Sequence, residues 1–120
     1  MCAQYPALLS CTIGVHPCST QAFEKHPGGP SGLLQELREL ILAAPKEAFV
    51  AIGEIGLDYD RLTLSPKETQ LTYFRTQLDL AASLPSPPPL FLHSRAAHSD
   101  FLHELTLRAD KLPKRGVVHS

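Results

Sequence analysis

The strongest structural signal in this sequence of 120 residues is Ala51-Ile52-Gly53-Glu54-Ile55-Gly56-Leu57-Asp58. An apolar run that begins at Phe49 ends there in two acids spaced by glycines. The pattern is typical of a buried strand that presents carboxylates at its carboxyl end, where α/β barrels and open α/β sheets keep their binding sites. A glycine-rich turn with two solvated acids would give the same letters, so the rest of the chain has to decide between the two interpretations.

Strand and helix patterns alternate along the chain. Strands are predicted at about 8–15, 49–53, 90–92 and 116–119, and helices at about 31–44, 66–82 and 97–108. Ser31 and Ser65 are expected to cap the first two helices, and Ser65 begins a capping box that ends at Glu68. Such alternation predicts a parallel sheet with right-handed crossovers, with the strands paired in sequence order and the helices on the outer face.

Side chains that commonly bind metals mark the ends of all four predicted strands. They are His16, Glu54, His93 and His119. Because the carboxyl ends of parallel strands meet at one rim, we expect these side chains to converge. A carboxylate with imidazoles suits Zn²⁺, Mn²⁺ or a similar divalent ion, with positions left open for water and a substrate oxygen. The other histidines lack this placement and are expected to be solvated: His26, His98 and His103.

Composition excludes several classes of protein. Eleven basic and 12 acidic residues with a pI near 6.6 exclude a strongly basic chain that holds DNA by charge alone. No apolar run approaches the roughly 18 residues of a membrane span, so no membrane partner is expected. The cysteines Cys2, Cys11 and Cys18 are an odd set without a C-x-x-C pair. They predict free thiols and an intracellular location, nuclear or cytoplasmic.

Four segments together resemble one family, the TatD-related metal-dependent deoxyribonucleases. They are 14–17 (Gly-Val-His-Pro), 51–59 (the strand quoted above and Tyr59), 91–95 (Phe-Leu-His-Ser-Arg) and 116–120 (Gly-Val-Val-His-Ser). Residues 60–71 are most similar to the animal TatD domain-containing branch. The resemblance covers nearly the whole chain. It implies an α/β fold, here a partial TIM barrel of the metal-dependent hydrolase type with about four parallel strands and helices on the outer face.

The resemblance also implies roles for individual residues. Glu54 resembles the family glutamate that bridges two divalent ions (Mg, Mn or Zn), and is the expected catalytic residue. His93 and His119 resemble the histidines that complete the second metal. His16 and Arg95 match positions near the site that would contact substrate phosphate or make a supporting hydrogen bond. Asp58 is expected to orient its turn rather than bind metal. The implied reaction is hydrolysis of a DNA phosphodiester by a metal-activated water.

The chain departs from the family pattern in two ways. It contains no His-x-His pair, which the family uses for its first metal, and it ends at Ser120 without the family's late-strand aspartate. A complete barrel needs roughly 250 residues and eight strands. We therefore expect residues 1–120 to be the central part of a TatD-like domain truncated at both ends, with at most one well-formed metal site. The alternatives are a catalytically inactive fragment or interaction module, and a related metal hydrolase acting on a lactone or cyclic amide.

Overall fold

The computed structural model describes residues 11–44 and 49–119. Its four strands are β1 (Cys11–Ile13), β2 (Phe49–Asp58), β3 (Leu90–Arg95) and β4 (Gly116–His119). They form one sheet in the order β1-β2-β3-β4, and each neighbouring pair is parallel. The expected pairing in sequence order is therefore confirmed.

Four α-helices accompany these strands in the described residues. They are α1 (Ala22–Lys25), α2 (Gly29–Ala43), α3 (Lys67–Ser83) and α4 (His98–Thr106). Helix α2 contacts β1 and α3, α3 contacts β2 and α4, and α4 contacts β3, so the three longer helices form one layer against the sheet. This is the expected segment of a TIM-type barrel. Among the described residues, no helix is both long and apolar enough to cross a membrane.

The hydrophobic core lies between the sheet and the helix layer. Ile55 and Leu57 of β2 and Phe74 of α3 have no solvent-exposed surface. The ring of Phe74 also stacks on that of Phe101, with 5.6 Å between their centroids, which ties α3 to α4. The core therefore fixes the helix layer on β2 and β3, the strands that carry most of the candidate site.

The opposite face of the sheet is open in the described residues. Residues paired across parallel strands point to the same side, and the pairs Phe91↔Val117 and His93↔His119 place these side chains away from the helices. A groove of about 560 Å³ runs beside Phe91 and Val117, towards the amino ends of the strands. This side of the sheet, which faces away from the helices, is the inner face of the partial barrel. It is apolar at one end and carries histidines at the other.

The strand boundaries differ from those predicted. β1 ends at Ile13 rather than at residue 15, and the predicted residues 8–10 lie outside the described residues. β2 continues to Asp58 and β3 to Arg95, so Glu54 and His93 lie within their strands rather than at the final residue. The prediction stopped β2 at its glycines because glycine usually weakens a strand.

Both predicted helix caps are wrong. α2 begins at Gly29, ahead of Ser31, and α3 begins at Lys67 without a side-chain cap. The Ser65 hydroxyl is fully buried and hydrogen-bonds the hydroxyl of Thr20 instead. A tertiary partner has replaced the local one, which a pattern of nearby residues cannot reveal.

Candidate metal centre

A β-bulge places Glu54 on the inner face. Gly53 pairs with Phe91 and Ile55 pairs with Leu92, so Glu54 is an extra residue without a partner on β3. Such a bulge changes where the neighbouring side chains point. Ile55 is fully buried among the helices, while the Glu54 side chain reaches the inner rim and remains 19% exposed.

Two glycines allow β2 and β3 to approach closely on either side of Glu54. Gly53 has φ +153° and Gly56 has φ +151°, which L side chains rarely adopt. A Cβ at Gly53 would overlap the carbonyl oxygen of Phe91, and one at Gly56 would overlap that of His93. The glycines of this stretch therefore serve strand packing beside the site rather than a loose turn.

The Glu54 carboxylate lies beside all three histidines of the candidate site. Its Oε2 lies 2.8 Å from Nδ1 of His93 and 2.8 Å from Nδ1 of His119. Its Oε1 lies 4.0 Å from Nε2 of His16. Burial raises the pKa of Glu54, but hydrogen bonds from His119 and His93 outweigh it and bring the net pKa below its ordinary value. Strands β2, β3 and β4 and the segment that follows β1 therefore bring together three imidazoles and one ionised carboxylate, as the convergence of strand ends predicted.

A second carboxylate holds the far side of the His93 ring. Asp58 Oδ2 lies 2.9 Å from His93 Nε2, and both side chains are buried. Asp58 Oδ1 accepts a hydrogen bond of 3.2 Å from the Asp60 N–H. A carboxylate behind a histidine fixes the ring and its tautomer, the usual support of a metal ligand. With Nε2–H directed to Asp58, Nδ1 is the nitrogen that faces Glu54, as a hydrogen-bond donor without an ion and as the ligand atom once an ion displaces its proton.

His16 is close to this cluster but turns a hydrogen-bearing nitrogen, Nε2, towards Glu54. Ligand atoms of His16, Glu54 and His93 all lie within 4.8 Å of one another, which is close enough to share an ion. However, His16 Nδ1 accepts a hydrogen bond of 3.1 Å from the Cys18 N–H. A neutral imidazole has one accepting nitrogen, so Nε2 carries the hydrogen and faces the site as a donor. Burial lowers the pKa of His16, which favours this neutral form.

Other predicted residues lie outside the cluster. The guanidinium of Arg95 is half exposed and donates to Asp60 Oδ2 at 2.8 Å rather than to a member of the site. His98 and His103 are exposed, as expected. The prediction for His26 is wrong: its side chain is only 20% exposed, with Nδ1 accepting from the Gly28 N–H and Nε2 at 3.2 Å from Glu36. Cys18 is a free thiol, and burial raises its pKa.

Sequence reasoning missed two buried glutamines of α3. Gln70 and Gln77 are 0% and 1% exposed, and their carboxamides bind the backbone of Asp58 and Val15. A signal was present, because residues 70, 74, 77 and 81 share one face of a helix. Two polar residues on the same face as Phe74 and Ala81 indicate buried hydrogen bonds.

A partial α/β barrel whose inner rim joins a carboxylate to imidazoles defines the class of metal-dependent hydrolases. The family model for TatD related DNase matches residues 1–120, and the chain belongs to that family. It is 46% identical over 110 residues to the deoxyribonuclease Tat-D of Schizosaccharomyces pombe, covering 91% of this chain and 35% of that protein. It is 37% identical over 119 residues to the 3'-5' ssDNA/RNA exonuclease TatD of Yersinia pseudotuberculosis, covering 99% of this chain and 41% of that one.

Solved structures show the same relationship. An uncharacterized amidohydrolase from Saccharomyces cerevisiae superposes with a TM-score of 0.73 at 40% identity, over 81% of this chain and 32% of that one. A TatD family hydrolase from Entamoeba histolytica gives a TM-score of 0.69 at 39% identity, over 91% and 35%. The chain spans roughly a third of the length of the relatives it matches.

Proposed function

We propose that this chain carries part of the active site of a metal-dependent deoxyribonuclease, an enzyme that hydrolyses DNA phosphodiester bonds. The observation that carries the proposal is the Glu54 carboxylate, which meets the Nδ1 atoms of His93 and His119 while Asp58 supports His93 from behind. Membership of the TatD related DNase family supports DNA as the substrate. The names of the Schizosaccharomyces and Yersinia relatives also refer to nucleic acid.

The donor set fits a divalent metal ion. Glu54 would supply oxygen, and His93 and His119 would each supply Nδ1, a mixed set that suits Zn²⁺ or Mn²⁺ and, with more oxygen ligands, Mg²⁺. When bound, such an ion supplies charge stabilisation and an activated water. Asp58 keeps Nδ1 of His93 turned towards Glu54, and the lowered pKa of Glu54 keeps its carboxylate available. These donors account for one of the two ions that the family uses.

Two other residues are proposed to hold the substrate. His16 presents Nε2–H to the site and would donate to a phosphate oxygen, because its Nδ1 already accepts from Cys18. Arg95 would release Asp60 and bind the substrate phosphate instead. Its planar guanidinium can donate two N–H groups to a phosphate. Local donors are needed because the chain has no excess of basic residues. The free thiol of Cys18 supports an intracellular location, nuclear or cytoplasmic.

A chimeric protein would test this proposal. The 110 residues that match the Schizosaccharomyces pombe deoxyribonuclease Tat-D would replace the corresponding segment of that protein. We expect the chimera to cleave a labelled DNA strand in the presence of Mg²⁺, Mn²⁺ or Zn²⁺. Glu54→Gln should reduce cleavage at least 100-fold, the order of loss when a group stabilising the transition state is removed.

Glu39→Gln is the matched control, because it makes the same chemical change on the exposed surface of α2 and should leave cleavage unchanged. A folded chimera that binds metal without cleaving DNA would contradict DNA as the substrate. Full activity in the Glu54→Gln chimera would contradict the assignment of the site.

A further inference from the structure

We propose that Gln70 and Gln77 are positioning residues of the metal centre, each fixing the backbone behind a different histidine. The inference rests on the proposed function, since it assigns these glutamines to that same site. Both are fully buried on α3, seven residues apart and therefore two turns apart on one helix face.

Gln70 holds the backbone of Asp58. Its Oε1 accepts the Asp58 N–H at 2.8 Å, and its Nε2 donates to the Asp58 carbonyl at 2.9 Å and to the Ser65 carbonyl at 2.8 Å. Asp58 in turn accepts from His93 Nε2. The chain of contacts therefore runs from Gln70 through Asp58 to the ring of His93, whose Nδ1 faces Glu54.

Gln77 repeats the arrangement at Val15. Its Oε1 accepts the Val15 N–H at 2.7 Å, and its Nε2 donates to the carbonyls of Val15 at 3.2 Å and Tyr73 at 3.1 Å. Val15 immediately precedes His16, whose ring faces Glu54. Gln77 therefore sets where the backbone carrying His16 leaves the sheet.

The topology explains why carboxamides occur at these two places. The pairing of β1 with β2 ends at Ile13↔Ile52, so Val15 and Asp58 lie beyond it and have no partner in that pairing. Asp58 is paired only on its other side, with Arg95 of β3. A carboxamide both donates and accepts, as a peptide group does, and can make the bonds that a neighbouring strand would make. Glutamate could not donate, and an apolar residue could do neither. At 0–1% exposure, water cannot replace the lost bonds.

The test compares Gln70→Met and Gln77→Met in the full chain, because methionine keeps the length of the side chain but removes its hydrogen bonds. The first readout is the ring ¹⁵N spectrum of the metal-free protein at one pH, which reports which ring nitrogens of each histidine carry hydrogen and how they are hydrogen-bonded. Gln70→Met should change the His93 signals and leave those of His16, while Gln77→Met should do the reverse. The second readout is Mn²⁺ affinity by calorimetry, where Gln70→Met should cost about tenfold, the usual effect of a residue behind a ligand.

Leu80→Ala is the control, because Leu80 is buried in the same helix and makes no hydrogen bond to the site. It should lower stability while leaving both histidine spectra and Mn²⁺ affinity unchanged. Should the methionine variants fail to fold, Gln70→Asn and Gln77→Asn, which keep the carboxamide but shorten its reach by one methylene group, make the same comparison. Unchanged histidine spectra in the glutamine variants, or equal changes with Leu80→Ala, would overturn the inference. A wild-type chain that binds no Mn²⁺ would count against the proposed function alone, since the metal-free spectra still decide the role of the glutamines.

Discussion

Gly56 sets how closely β2 and β3 approach beside the candidate site. Because its φ is +151° and a Cβ would overlap the His93 carbonyl, we expect Gly56→Ala to lower the free energy of unfolding by more than about 2 kcal/mol. Gly29→Ala is the matched control, since Gly29 has φ +71° but no atom within 4 Å of the point that a Cβ would occupy. It should cost about 1 kcal/mol from backbone strain alone. Urea denaturation measures both, and equal losses would show that the close approach of the strands is not the cause.

Metal affinity should depend on pH through the histidines rather than through Glu54. The net pKa of Glu54 lies below its ordinary value of 4.5, so its carboxylate stays ionised across the range in which imidazoles titrate. A proton on His93 Nδ1 competes directly with an ion at that atom. We expect Mn²⁺ affinity to fall as the pH is lowered, by about tenfold per unit for each proton that the ion has to displace.

Calorimetry over a series of pH values would measure this dependence. Glu54→Gln should bind Mn²⁺ weakly at every pH, because it removes the charged oxygen ligand. An affinity that stays constant as the pH is lowered would contradict a role for histidine nitrogens as ligands.

Helices α3 and α4 are joined by a buried carboxylate as well as by their aromatic stack. Glu104 of α4 is 2% exposed and binds Arg75 at 2.9 Å and Arg108 at 3.0 Å. Arg75 is 46% exposed, so part of this attraction is screened by water. We expect Glu104→Gln to cost about 2 kcal/mol of stability, because it leaves Arg75 without its charge partner and Arg108 with Asp79 alone.

Asp79→Asn tests the same kind of pair at the surface. Asp79 also binds Arg108 but is 65% exposed, and its loss should cost less than about 1 kcal/mol. Thermal unfolding measures the loss of stability in each variant. A Mn²⁺ titration is the control, since neither substitution should alter metal affinity. Equal stability losses would show that burial of Glu104 adds nothing to its ion pairs.

The elements of this fold were largely predictable because each has a local signal in the sequence. The leucine and phenylalanine spacing of α3 and the apolar runs of β2 and β3 indicated the right types and order, and the ends of parallel strands predicted that Glu54, His93 and His119 would meet. The bulge at Glu54 could not be predicted, because it depends on which residues of β3 lie opposite. The tautomer of His16 was equally hidden, since it follows from a backbone N–H at Cys18 that turns towards the ring.

Taken as a whole, the described residues form a sheet covered by helices on one face only. Val117 and Val118 of β4 are 63% and 58% exposed, and the groove beside Phe91 leaves further apolar surface open. Exposed apolar surface together with an open strand edge favours association with another sheet. The same face carries the candidate site, so whatever covers it would also enclose the metal donors and exclude water from them.

The last prediction is that the 120-residue chain on its own binds one divalent ion and cleaves DNA far more slowly than the chimera proposed above. Its Glu54, His93 and His119 provide donors for one ion, but the sequence has no His-x-His pair to hold a second. A two-metal site that lacks one ion loses part of the charge that stabilises the transition state, which corresponds to a rate loss of several orders of magnitude. Calorimetry with Mn²⁺ gives the stoichiometry, and cleavage of a labelled DNA strand gives the rate, with Glu54→Ala as the background. Turnover equal to that of the chimera, abolished by Glu54→Ala, would contradict the prediction. Gel filtration of that active sample would then show whether two chains combine their open sheets to complete the site.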